Sequence, residues 1–306
     1  MYAALTYFGQ GKLICTSTTT ADNGKTVSVT DGKKTWTGVM TNGVCTFILP
    51  AKQKYTVKLL NGGTVEYETE VIFGFGDCKE LEVGMDKKSW KGLKAILNAG
   101  LESEMLAVGD RISATVAGEE QVFDIVHINY RSDVYGRNII LGKHDCLSEV
   151  KQMHPTSTNY MPNAPFALEK YLNNDYYDSL PSDVKSVIST MQYKTGIGGG
   201  QNNLYEQEQK IWLPLEHNVF GSSIYAAAKE SSEGGATQFS YYVTDAKRIK
   251  HIGTDGAATP WILGSPFYKN GTGFCGVYSS GVAMTNGIDA TTPYGVCPHF
   301  MIAADN

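Results

Sequence analysis

Polar and apolar residues alternate with period two over the first part of the chain, in short runs separated by turn signals. The runs are KLICTST, KTVSVT, KTWTGVMT, NGVCTFILP, KYTVKLL and TVEYETEVIF, punctuated by ADNG, DGK and NGG. Asp-Gly and Asn-Gly pairs between period-2 runs are hairpin signals. Residues from Ala3 to about Met85 are therefore expected to form an all-β sandwich of immunoglobulin-like or carboxypeptidase-regulatory-like pattern, with Trp36, Phe47, Leu49, Tyr55, Val57 and Leu59 as its core.

The composition changes at Met85-Asp86-Lys87-Lys88, which places a boundary between residues 1–86 and 87–306. Trp90, Leu93, Ile96 and Leu97 then follow at helical spacing. RISATV, QVFDIVHINY and NIILGK read as strands. DCLSEVKQM, Phe166 to Leu172, Ser182 to Met191 and Asp245 to Ile252 read as helices. Tyr193 to Gln209 is polar and Gly-rich and reads as a long surface loop, after which Lys210 to Pro214 re-enters the core as a short strand. Short strands, modest helices and long loops predict an α+β domain. No internal repeat is visible.

The chain has 306 residues, 42% of them apolar, enough to bury a sizeable core. A formal net charge of -5 without a basic run argues against nucleic acid or an anionic membrane as partner. The N-terminal MYAALTYFGQGK lacks the pattern of a signal peptide, and no window approaches the roughly 18 apolar residues of a membrane span. Six scattered Cys, with no Cys-x-x-Cys, read more readily as buried thiols than as a disulfide framework.

Several chemistries lack their signatures. Gly196-Ile-Gly-Gly-Gly-Gln201 has no Gly-Lys-Ser/Thr ending and reads as a flexible loop rather than a phosphate cradle. The six His show no metal-ligand spacing, and no Gly-x-Ser-x-Gly elbow occurs. His144-Asp145-Cys146 reads as a strand end, and Glu216-His217 with Asp175 and Asp178 as solvated polar faces. No catalytic residue, metal ligand or cofactor is expected.

The last segment carries the strongest signal. Between the apolar brackets Trp261-Ile262-Leu263-Gly264-Ser265-Pro266 and Gly295-Val296-Cys297-Pro298-His299-Phe300 lies a run rich in Gly, Ser, Thr, Asn and Tyr. That composition suits adaptable recognition, because Tyr supplies contact area at low entropy cost and the small polar residues supply hydrogen bonds. Period-2 alternation would turn Phe274, Gly276, Tyr278 and Ser280 outward and Val277 inward, with Phe267, Tyr268 and Asn270 at the same exposed end. Ile262, Gly264, Asn286 and Asp289 complete the expected ligand-binding set, carried on a scaffold of Trp212, Leu213, Trp261 and Val277.

The brackets, with Gly276-Val277-Tyr278-Ser279, resemble the C-terminal end of phage and gut-bacterial proteins with a C-type-lectin-like fold of the formylglycine-generating-enzyme type. The resemblance extends over 89–109, 145–153 and 167–189. Many relatives carry Trp where Ile262 stands and Arg where Gly264 stands. The group includes variable proteins of diversity-generating retroelements and phage tail receptor-binding proteins. The resemblance implies a receptor-binding protein on a virion tail or displayed on a bacterial surface, its partner a bacterial surface protein or glycan, alongside other virion tail proteins.

Adenine-directed mutagenesis of Asn codons would fit Ile262 to Tyr294, where only Lys269 and Met284 fall outside the residues it can produce. An enzyme of the formylglycine-generating or hydrolytic type and a structural virion component are the alternatives. The first is weakened because Cys275 and Cys297 are not closely spaced, and a sugar-binding lectin site lacks its Glu-Pro-Asn or Trp-Asn-Asp.

Overall fold

A computed structural model describes residues 10–305 except 18–21, 52, 73, 75, 84–86, 162–163, 234–236 and 254–255. Met85 and Asp86 of the expected boundary lie outside the described residues. The chain divides into two compact units, residues 1–99 and 100–306, so the helix Trp90–Asn98 falls with the first unit and not the second. Ser89 caps that helix by accepting from Gly92 N at 3.0 Å, and Trp90, Leu93, Ile96 and Leu97 are buried as their spacing predicts.

Among the described residues the first unit holds seven strands in two sheets. They are β1 (Gln10–Thr16), β2 (Thr26–Thr30), β3 (Thr35–Val39), β4 (Val44–Pro50), β5 (Lys54–Asn61), β6 (Thr64–Ile72) and β7 (Cys78–Glu82). The sheets run β4-β1-β7 and β3-β2-β5-β6, antiparallel throughout except for the parallel β1–β7 pair. Alternation decides which side is covered: Leu13, Cys15, Phe47 and Leu49 of one sheet and Val27, Val29, Tyr55, Val57 and Leu59 of the other are buried. The sheets meet where Gly38 of β3 approaches β4, so closely that a Cβ there would lie 2.5 Å from Cys45 Sγ. Trp36 departs from the expected core. It is half-buried on β3, edge-on to Tyr55 at 5.8 Å, with the Lys34 ammonium 5.0 Å above its ring.

The second unit is α+β. Its main antiparallel sheet runs β18-β10-β9-β8, formed by β8 (Arg111–Val116), β9 (Glu119–Ile128), β10 (Asn138–Lys143) and β18 (His299–Ala303). Every residue of β10 and β18 is buried. The free edge of β18 is taken by single bridges from Ser189 to Met301 and from Trp212 to His299. Phe123 packs edge-on against Phe300 at 5.3 Å, and Tyr242 Oη donates to His299 Nε2 at 2.9 Å in the same core.

Four expectations change. Tyr193 to Gln209 is no surface loop but the hairpin of β11 (Met191–Gly196) and β12 (Leu204–Gln209). Its inward residues Met191, Tyr193 and Thr195 are buried, a period-2 pattern masked by polar composition. DCLSEVKQM forms no helix, because its backbone is captured by extended partners: Cys146 bridges Ile252, Leu147 N donates to Val296 O, and Lys151 bridges Tyr294. The expected helix from Ser182 stops at Lys185 and yields to β11. That from Asp245 stops at Arg248 and yields to β13 (Lys250–His251), which pairs with β14 (Ala258–Thr259). The helix expected from Phe166 does form and runs on through a π-helical segment, Leu172–Tyr176, to Ser179.

Replacing Phe123 by Ala removes the ring packed on Phe300 and is expected to destabilise the second unit by about 3–5 kcal/mol in urea unfolding. Ile72→Ala, at a position 60% exposed, should stay within about 0.5 kcal/mol of the parent.

Candidate functional site

The last sheet of the second unit is built from β15 (Trp261–Pro266), β16 (Gly273–Val277) and β17 (Ile288–Asp289), in that order. β15 and β16 are buried on both faces, so alternation does not sort their side chains into inward and outward sets. Five of the expected ligand-binding residues are therefore internal: Ile262, Gly264, Phe267, Phe274 and Gly276. Phe274 meets Phe166 edge-on at 4.8 Å, and Phe267 stacks on Tyr225 at 5.5 Å. A Cβ at Gly264 would collide with the Tyr193 hydroxyl, and one at Gly276 with Ile288 and Met284. Free randomisation at these positions conflicts with the packing. The scaffold residues Trp212, Leu213, Trp261 and Val277 are buried as expected.

The other candidates reach solvent but not at one place. Tyr268 is exposed and Asn270 and Asp289 half-buried, at the turn between β15 and β16 and the β17 strand paired to it. Tyr278, half-buried, and Ser280, exposed, lie beyond the opposite end of β16. Asn286 is exposed in the connection to β17.

The turn bearing Tyr268 is held by a residue the sequence did not single out. Asn159 is wholly buried, and its Nδ2 donates to the carbonyls of Phe267 at 3.1 Å, Asn270 at 3.0 Å and Gly273 at 2.7 Å. Its Oδ1 accepts from Gly199 N at 2.9 Å, and its own N–H donates to Gly271 O. One amide thus joins three turns, at 157–161, 197–203 and 267–273. The Gly-rich run serves this junction: Gly198, Gly199 and Gly200 all have φ between +63 and +72°, and a Cβ at Gly198 would strike the Asn159 carbonyl. Gly199 lies against the Tyr160 ring and Gly200 beside the Tyr268 carbonyl.

A fourth turn joins through backbone and ring contacts. Tyr268 N donates to Tyr225 O at 2.8 Å, Tyr225 stacks on Phe267, and Lys269 Nζ lies 5.7 Å from the Tyr225 ring centre. This turn is fixed from below by Glu216, whose Oε2 accepts from Tyr225 N and Ala226 N, both at 2.8 Å. Beside it, Glu230 accepts from Ser265 Oγ at 2.5 Å, Gly196 N at 2.6 Å and Thr195 Oγ1 at 3.2 Å. Burial pushes the Glu230 carboxyl up to about 7, opposed by those hydrogen bonds and reinforced by the charge of Glu216, itself raised by burial. Glu216 and His217 are internal rather than the solvated pair expected.

The outer face of the four turns presents Tyr160, Ile224 and Tyr268, at 44%, 47% and 42% exposure, with Lys269, Gly199, Gly200, Gln201, Asn202 and Asn203 also exposed. Tyr160, Ile224 and Tyr225 were missed because they sit in short irregular segments, TSTNY and SSIYA, with no periodicity to mark them.

Residues 137–304 match a family described as Domain of unknown function (DUF6273). The chain belongs to this DUF6273 family. No curated protein matches it. The DUF6273 segment begins just ahead of β10 and ends just past β18, so it takes in all four turns and both acidic side chains beneath them, while β8 and β9 lie outside it.

Elsewhere in the unit, buried Asp124 accepts from His144 Nδ1 at 2.6 Å and from Arg111 Nε at 3.1 Å. With Nδ1–H given to Asp124, His144 Nε2 is the acceptor for Arg111 Nη2 at 3.2 Å, so both ring nitrogens are engaged and the group acts as a brace. Cys275 faces Glu216, and Cys297 lies against Cys146 rather than Cys275. Among the described residues no group of three His, Cys, Asp or Glu converges as metal ligands would, and no helix is long and apolar enough to cross a membrane.

Asn159→Ala should destabilise the second unit by at least about 2 kcal/mol, since it strips the donor from buried carbonyls, and should abolish amide-exchange protection at Gly199. Glu230 holds its proton more tightly folded than unfolded, so its contribution is full below about pH 4.5 and is lost as pH rises through about 7. The stability of the parent relative to Glu230→Gln should fall by about 3 kcal/mol across that window, read from unfolding midpoints at pH 4.5 and 7.5.

Proposed function

We propose that this chain is a ligand-binding protein whose recognition surface is the cluster of four turns around Asn159, centred on Tyr160, Tyr225 and Tyr268. The observation that carries the reading is the buried Asn159 amide, which ties three of those turns to one point. Exposed aromatic groups on turns held this way are pre-organised, so little ordering entropy opposes binding. The composition of the surface, Tyr with Gly, Asn, Gln and one Lys, favours shape and hydrogen bonding over charge, in keeping with a net charge of -5.

In the fuller form of the proposal, an immunoglobulin-like sandwich carries a C-type-lectin-like domain on a phage tail or a bacterial surface. The ligand is a bacterial surface protein or glycan, bound with modest single-site affinity that repetition on a virion would raise. Support for this form comes from the resemblance of the C-terminal brackets and from the two-sheet first unit. Any diversification by a retroelement would then be confined to outward positions such as Tyr268, Asn270, Tyr278, Ser280 and Asn286, because their neighbours in β15 and β16 are locked in the core.

The double variant Tyr160→Ala, Tyr268→Ala should lose about tenfold or more in binding to host cells or isolated envelope, with its unfolding midpoint nearly unchanged. Phe274→Ala should instead lose about 3–5 kcal/mol of stability. Full binding by the stably folded double variant would remove the turn cluster from consideration.

A further inference from the structure

Cys146 and Cys297 meet at the end of the β10–β18 pair, where neither sequence spacing nor motif would place them together. Cys146 follows β10 and Cys297 precedes β18. The backbones on either side of them are already tied, Lys143 N donating to Pro298 O and Leu147 N to Val296 O, each at 2.9 Å. Their Sγ atoms stand 2.9 Å apart as two free thiols in direct contact, and both side chains are wholly buried. Of the other four cysteines, Cys275 faces a carboxylate, Cys78 faces solvent, and Cys15 and Cys45 stand opposite each other on β1 and β4 in the first unit.

We infer that Cys146 and Cys297 form a disulfide that staples the segment after β10 to the segment before β18, linking positions 151 residues apart in the chain. The bond forms by thiol–disulfide exchange with an external disulfide of the glutathione or oxidoreductase type. One thiolate attacks a sulfur of that disulfide and expels one thiol. The second cysteine then gives up its proton, attacks the mixed disulfide and expels the other, so two cysteine thiols and one external disulfide become one internal disulfide and two free thiols.

Burial raises the Cys146 thiol far above its ordinary range, and the buried Lys250 and Lys143 ammonium groups oppose that rise. Exchange therefore belongs to the folding chain, before the core closes over the pair, and the finished bond is shielded from reductants. Such a bond suits a protein that works outside the reducing cytosol. A loop this long gives the bond a large effect on the unfolded chain and a correspondingly large stabilisation of the fold.

The full chain is refolded with reduced and oxidised glutathione, its free thiols are blocked with iodoacetamide, and the unreduced digest is analysed by mass spectrometry. A linked peptide pair containing Cys146 and Cys297 is expected, with neither residue alkylated. A strong reductant present throughout unfolding should lower the midpoint of the second unit by about 5–15 °C, a shift that Cys78→Ser keeps and Cys297→Ala loses. Recovery of both residues in alkylated form from the oxidatively refolded parent overturns the inference, whether or not Cys297→Ala folds. An unchanged midpoint on reduction of the parent also overturns it.

Discussion

Complete burial of four strands, β10, β15, β16 and β18, governs what the second unit can do. Strands covered on both faces contribute their apolar surface to the core and leave nothing on which to mount a recognition surface. Any outward chemistry is pushed to the turns at their ends. Those turns carry many backbone carbonyls and amides close to the core, and buried polar groups of that kind must find partners. Asn159 and Glu216 supply them, which explains why polar side chains stand wholly inside a unit otherwise packed with aromatic rings.

The two acidic side chains beneath the turns show how such satisfaction is arranged. Glu216 and Glu230 are each buried and each raised by burial, with their mutual repulsion reinforcing Glu230. Glu216 receives two successive backbone amides, while Glu230 receives one amide and two hydroxyls. They tie the 224–226 turn and the β11 strand to Ser265 of β15, whose hydroxyl also accepts from Glu216 N. The surface above is therefore continuous with the core through hydrogen bonds rather than merely attached to it.

Much of this architecture was legible in the sequence, and the misses share a cause. The six period-2 runs of the first unit, the strand RISATV and the helix at Trp90 all form, because each shows the period of its element, while NIILGK, buried on both faces, was marked instead by its continuous apolar run. Alternation failed at Phe274 and Gly276 because both faces of β16 are covered. Composition failed at Tyr193, where Gln, Lys and Thr neighbours hid a strand whose inward residues are Met191, Tyr193 and Thr195. The helical pattern in DCLSEVKQM lost to backbone partners at Ile252, Val296 and Tyr294, more than a hundred residues away. Asn159 could not be read at all, since its importance lies in what two distant turns lack.

The run of three left-handed glycines has a consequence for molecular evolution at this surface. Between the tyrosines at 160 and 268 the chain exposes Gly199 and Gly200 without side chains, and no substitution can dress them without forcing backbone into a conformation that side chains resist. A partner lying across that strip would read an invariant rail of amides and carbonyls. Selectivity among partners would then have to be written in the residues flanking it, leaving the rail as a shared grip that drift cannot easily erase.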